Sequence, residues 1–194
     1  MTKDEIKSVI RHALLNIFTV LNITVNSTSV AKEDRNRAMD LIKIAALLVE
    51  YERIYLGQKM NFNSSEVNIK EVLNLLGEIY KKDFSRKKVI FSIDRNDFII
   101  RCDKKRIQES LELIIKKLMF CSTVIDFKFN ISSKKIIITH SCNQKEKLKK
   151  IIPIVSIQNQ EYDNYQAGYQ LALELLDKMG IKIIIGSKTI KLQF

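Results

Sequence analysis

The chain has 194 residues, 46% of them apolar, with five Gly and one Pro, which supplies a real core and little material for long flexible linkers. Its net charge is +11, with Lys and Arg spread along the whole length, so it reads as a solvated basic surface attractive to an acidic protein partner. No apolar run approaches the roughly 20 residues of a membrane helix and no apolar leader follows the start, so a cytoplasmic protein without membrane contact is expected.

Residues 4–27 are predicted as one helix, because Ile6, Ile10, Ala13, Leu14, Ile17, Leu21 and Val25 recur at three- and four-residue steps. After the polar break Asn26 to Ser29, a second helix over residues 32–56 carries Ala38, Leu41, Ile42, Ala45, Leu48 and Val49 on its apolar face. Gly57 stops it. Two helices joined by a short turn make an antiparallel helical hairpin. One hairpin cannot cover both its inner and its flanking apolar faces, so pairing into a dimeric four-helix bundle is expected. The polar stretch Gln58 to Asn68 then separates the hairpin domain, residues 1–58, from a second domain, residues 59–194.

In the second domain Asn68 is a good N-cap for a helix over residues 69–84. Residues 88–93 and 98–101 alternate as strands around the turn Asp94 to Asp97, which predicts a hairpin. Asp103 caps another long helix, to about residue 120. Residues 124–131 and 134–139 form a hairpin about Ser132-Ser133. Residues 141–165 are irregular and polar, with one short helix near 146–152. A helix over 165–179 ends at Gly180, and strands 181–185 and 189–194 turn at Gly186-Ser187. The class is α+β: after the helical hairpin, an α/β two-layer sandwich with helices on one face of a mixed sheet. Cys102, Cys121 and Cys142 are scattered without a paired spacing, so neither metal binding nor a disulfide is expected.

On the first helix Glu5, Ser8, His12, Asn16, Thr19 and Asn26 form a polar stripe, which turns His12 away from the apolar seam and towards water. The run His12-Ala-Leu-Leu-Asn16-Ile-Phe18-Thr19 resembles the phosphoacceptor box of sensor histidine kinases. Arg37 to Ile42 and Tyr51 to Gly57 are similar to that family's second helix. Ser65 to Phe120 looks like the opening helix, hairpin and following helix of its ATPase domain, and Asp103 to Leu111 like the start of its Asn-bearing helix. Gly168 to Leu173 and Met179 to Ile183 resemble the last glycine box and the strand after it. No single box is specific; their order and spacing together are.

The departures from that pattern decide the function. The general base after the histidine is replaced by Ala13, and the helix Pro by Ile17. The Asn that would hold Mg²⁺ falls near Lys117, and an earlier Asn near Leu113. Lysine has donors only and cannot coordinate a cation. Where the adenine box should follow the strand, the sequence is His140-Ser-Cys-Asn143, and Gln170 replaces a glycine of the last box. The resemblance therefore implies a core without an ATP site and with no cofactor bound by this chain, which leaves phosphoryl exchange between His12 and receiver aspartates. An imidazole partly neutral at cellular pH suffices for that, with Mg²⁺ brought by the partner receiver domain.

Asn16 is placed by the resemblance where it would orient water for dephosphorylating the partner; an ordinary polar surface residue is the competing reading. Leu15 and Phe18, with Thr19 and Arg11, would contact the receiver, burial inside the bundle being the alternative for Phe18. A structural role is expected for His140. The implied partners are response-regulator receiver domains, a hybrid histidine kinase and a second copy of the chain. The second reading is a non-catalytic pseudokinase adaptor that binds a receiver or a kinase without accepting phosphate. Residual kinase activity and nucleic-acid binding through the basic surface stand behind these.

Overall fold

Two short polar side chains start two of the three long helices described in the C-terminal region. In the computed structural model the described residues are 61–142 and 160–194, with side chains from Gly168 onward in the last stretch. To these are added the helical positions Arg11, Leu14, Leu15, Ile17, Phe18, Thr19, Leu21, Ile42, Ala45, Ala46 and Val49. Strand β1 (Ser64–Asn68) ends at Asn68, whose side-chain oxygen accepts from the Glu71 amide at 3.2 Å and opens helix α1 (Ile69–Arg86). Strands β2 (Ile90–Ile93) and β3 (Ile99–Asp103) follow. Asp103 then caps helix α2 (Lys104–Cys121), accepting from the Arg106 amide at 3.1 Å and from the Asn63 amide at 2.9 Å. The chain continues through β4 (Val124–Asn130), β5 (Lys135–His140), helix α3 (Gln160–Lys178), β6 (Lys182–Ile185) and β7 (Thr189–Gln193).

The described residues fall into two compact units, one holding 61–142 and 172–194, the other the N-terminal helical positions and 160–171. In the first, β1 and β3 form a small antiparallel sheet. A five-stranded mixed sheet has the order β2-β4-β5-β7-β6, parallel between β2 and β4 and antiparallel elsewhere. Strict alternation sets its two faces. Ile125, Phe127 and Phe129 on β4, Ile136 and Ile138 on β5, and Ile190 and Leu192 on β7 are buried on one side. α1 and α2 lie against that side, α1 through the stacked rings of Phe84 and Phe91, 4.5 Å apart. On the other face Ser92 Oγ donates to Asp126 Oδ1 at 2.5 Å. Gly180, at φ +78°, closes α3: the Ile181 amide bonds to Leu176 O at 3.0 Å and the Gly180 amide to Asp177 O at 2.9 Å.

The expected α/β arrangement of the second domain is therefore present, with three corrections. Strands 88–93 and 98–101 do not form a hairpin. β2 pairs in parallel with β4 and β3 pairs with β1, so the turn at Asp94 to Asp97 carries the chain between two sheets. The polar stretch before Asn68 contains β1, whose only buried residue is Val67. α3 begins at Gln160, inside a stretch expected to be irregular. The helical hairpin over residues 1–58, and the short helix near 146–152, lie largely or wholly outside the described residues. Among the described residues no helix is long and apolar enough to cross a membrane.

Candidate functional site

The described positions of the first helix have a clear inside and outside. Ile17 is fully buried and Leu14 and Leu21 are half-buried, as the apolar seam predicts. Arg11, Leu15, Phe18 and Thr19 are exposed, Leu15 by 59% and Phe18 by 58%. The Thr19 hydroxyl donates to Leu15 O at 2.8 Å, the usual way a helical threonine satisfies itself. His12 and Asn16 lie outside the described residues. On the second helix Ala45 is buried, while Ile42 and Val49 are 48% and 46% exposed.

The positions that the resemblance assigns to a nucleotide cradle lie on α2 and at the end of β5. From Leu113 to Met119 every α2 residue is buried, so the helix has no water-facing stripe there. Lys117 is fully buried, and neither it nor Leu113 carries an oxygen that would coordinate a cation. Lys116, 7% exposed, reaches Glu112 Oε1 at 3.0 Å. The Tyr80 hydroxyl donates to that same oxygen at 2.5 Å, and the ammonium sits 5.4 Å from the Tyr80 ring centre. These three residues tie α2 to α1.

The end of β5 is bound down rather than open. The His140 amide donates to Lys188 O at 3.0 Å and the Ser141 amide to Val124 O at 3.3 Å. Ser141 Oγ accepts from the Thr123 amide at 2.8 Å and the Val124 amide at 3.2 Å. The His140 ring is 2% exposed, and neither ring nitrogen has a hydrogen-bond partner among the described residues. Burial holds its pKa below the ordinary value, so the ring is neutral there. Burial, reinforced by the neighbouring Cys142 thiol, pushes Cys121 up to about 12; burial and then Asp103 push Cys102 up to about 11. Such thiols are protonated and unreactive. In α3, Gly168 is buried and Tyr169 completely so.

No family model and no curated protein sequence matches this chain. Solved structures do. Histidine kinase AdeS of Acinetobacter baumannii aligns over 97% of this chain and 94% of its own, at 13% identity and a TM-score of 0.59. The cytoplasmic segment of histidine kinase QseC aligns over 77% of this chain and 91% of its own, at 8% identity and a TM-score of 0.56. The catalytic domain of histidine kinase ThkA aligns over 69% of this chain and 94% of its own, at 15% identity and a TM-score of 0.50. The fold is histidine kinase-like.

Within that histidine kinase-like fold, sequence reasoning pointed to Lys117, Leu113 and His140 as departures, and all three side chains are buried. It missed the Ser141 clamp, the approach of Cys121 to Cys142 and the Tyr80–Glu112–Lys116 group. Only the last had a signal in the sequence, since Glu112 and Lys116 stand one helical turn apart. The other two depend on the β4–β5 register, which places Ile125 opposite His140 and so brings residues 121–124 beside 141 and 142.

Proposed function

We propose that this chain is a histidine phosphotransferase of a two-component phosphorelay, built as a hairpin domain over residues 1–58 and a degenerate ATPase-like domain over residues 59–194. A neutral nitrogen of His12 attacks the phosphorus of a receiver's aspartyl phosphate. A P–N bond forms, the acyl-phosphate P–O bond breaks, the aspartate leaves as carboxylate, and the other imidazole nitrogen releases its proton to water. The receiver supplies Mg²⁺, and the reverse transfer recharges a second receiver. Asn16, one turn further on, orients water for dephosphorylation of the partner. Arg11, Leu15, Phe18 and Thr19 form the receiver contact. Response regulators and a hybrid histidine kinase are the partners, and the chain works as a homodimer.

The observation that carries this reading is the exposure of Leu15 and Phe18, 59% and 58%, three and six residues after His12 in the chain. Two large apolar side chains held in water are costly unless a partner covers them, and such anchors dominate protein interfaces. Thr19, which the sequence puts on the same stripe as His12, is exposed as well. The kinase-like fold supplies the context, and the buried Lys117 at the metal-ligand position supports transfer without ATP.

Incubation with a receiver charged from labelled acetyl phosphate tests the reading. Wild-type chain should take up acid-labile, base-stable label, and His12→Ala and His12→Gln, checked as folded by circular dichroism, should take up none. Equal labelling of wild type and both variants would end it. The same exposed pair would equally serve an adaptor, and Ala13 in place of the general base fits one. Receiver binding by wild type without any label would assign that role instead.

A further inference from the structure

We infer that the free edge of β2, with the groove beside it, is a docking site for an extended acidic segment of a partner protein. This surface lies within the unit of residues 61–142 and 172–194, and the inference does not rest on the phosphotransfer reading. Among the described residues β2 ends the five-stranded sheet, and only one of its edges is paired. The Ile90 amide donates to Thr123 O and the Asp94 amide to Phe127 O, both at 2.8 Å. Even-numbered amides therefore face β4, and the N–H and C=O groups of Phe91 and Ile93 point the other way, to the open edge. An added strand would bond to those four groups, as in β-augmentation.

The ground beside the edge is shaped for side chains. A groove of about 540 Å³ runs between α1 and β2, with Asn74, Gly77, Lys81 and its ion-pair partner Glu78 on the helix side and Phe91 and Ile93 on the strand side. Gly77 sets its depth, since a Cβ there would lie 3.0 Å from Phe91 Cε1. The floor is thus aromatic and aliphatic and the rim polar, which suits alternate apolar residues of an incoming strand. Ile90, on the same strand, is 65% exposed.

Charge identifies the occupant. Between residues 78 and 88 there are five cations (Lys81, Lys82, Arg86, Lys87 and Lys88) against two carboxylates. Glu78 is paired to Lys81 at 3.5 Å and Asp83 to Arg86 at 3.4 Å, which leaves Lys82, Lys87 and Lys88 as the excess of three in that segment, with Lys87 Nζ 5.7 Å from the Phe120 ring centre. Those charges, on a chain of net +11, oppose pairing with a second copy and favour a strand carrying Asp or Glu.

Fluorescence anisotropy with the labelled peptide Glu-Val-Glu-Val-Glu-Val-Glu and the full chain tests this. Binding that weakens steeply with salt is expected. Ile93→Pro removes an outward donor together with a groove-lining side chain while sparing the β2–β4 ladder, and should weaken binding about tenfold. Lys81→Glu should weaken it similarly. A peptide N-methylated at alternate amides tests the same bonds with the wild-type protein and should fail to bind. No binding at about 1 mM peptide, equal binding of the Lys-Val counterpart, or binding untouched by both Ile93→Pro and N-methylation would overturn the proposal. So would a dimer in sedimentation that Ile93→Pro dissolves, which would give the edge to a second copy.

Discussion

His140 ends β5 with a ring 2% exposed and both nitrogens unsatisfied among the described residues. An unmet buried polar group costs about 1–3 kcal/mol, so this histidine is tolerated rather than stabilising in its neutral form. Its folded-state pKa lies below the unfolded value of 6.5, so as pH falls the unfolded chain takes up the proton first. Whatever stability the neutral ring permits is fully present above 6.5 and is lost as pH falls through the folded value. Urea unfolding at pH 7.5 and 5.5 should show a clear loss for wild type and a smaller one for His140→Leu, with the variant at least as stable at the higher pH. Identical pH slopes would remove His140 from the account. Lys117 leads to a second expectation. A nucleotide with a Kd of about 1 mM would, at about 10 mM, stabilise the fold by roughly 1.4 kcal/mol, or several degrees in Tm. With the metal-ligand position filled by a buried lysine, no such shift is expected with Mg²⁺ and ATP, by thermal melt.

Asp103 acts between elements. One of its oxygens caps α2 at the Arg106 amide and the other holds the Asn63 amide just before β1, so a single carboxylate joins a helix start to the small sheet. Asp103→Ala should cost about 2 kcal/mol, a lost cap plus an orphaned amide, read as a lower urea midpoint with unchanged slope. That cap was legible in the sequence, as was Asn68, because capping is local chemistry. The β4–β5 and β6–β7 hairpins were legible for the same reason: the alternation is strong and the turns are short. β1 was not, since Ser64-Ser-Glu-Val-Asn68 buries only Val67 and shows no alternation against which to read a strand. The partners of β2 and β3 were not either. A strand of four or five residues states that it is a strand but not where its neighbour lies, and the parallel β2–β4 pair needs the crossover that α2 provides. At the candidate site, substitutions such as Lys117 and Leu113 were readable against the histidine kinase pattern. The Ser141 clamp was hidden because a β4–β5 register creates it.

At the scale of the whole molecule, exposed apolar side chains on the N-terminal helices divide by helix. Leu15 and Phe18 lie on the first helix, whereas Ile42 and Val49, 48% and 46% exposed, stand two helical turns apart on the second helix beside the buried Ala45. A chain of net charge +11 repels its own copy at long range, so self-association requires an apolar seam, and the second-helix pair offers one. Sedimentation should give twice the 22.6 kDa chain mass, and Ile42→Glu combined with Val49→Glu should halve it. Leu15→Glu should leave the mass doubled while abolishing labelling by a charged receiver. If the two sets of substitutions had the same effect on mass, receiver contact and dimer seam would be one surface, and a dimer could not present that face to a partner.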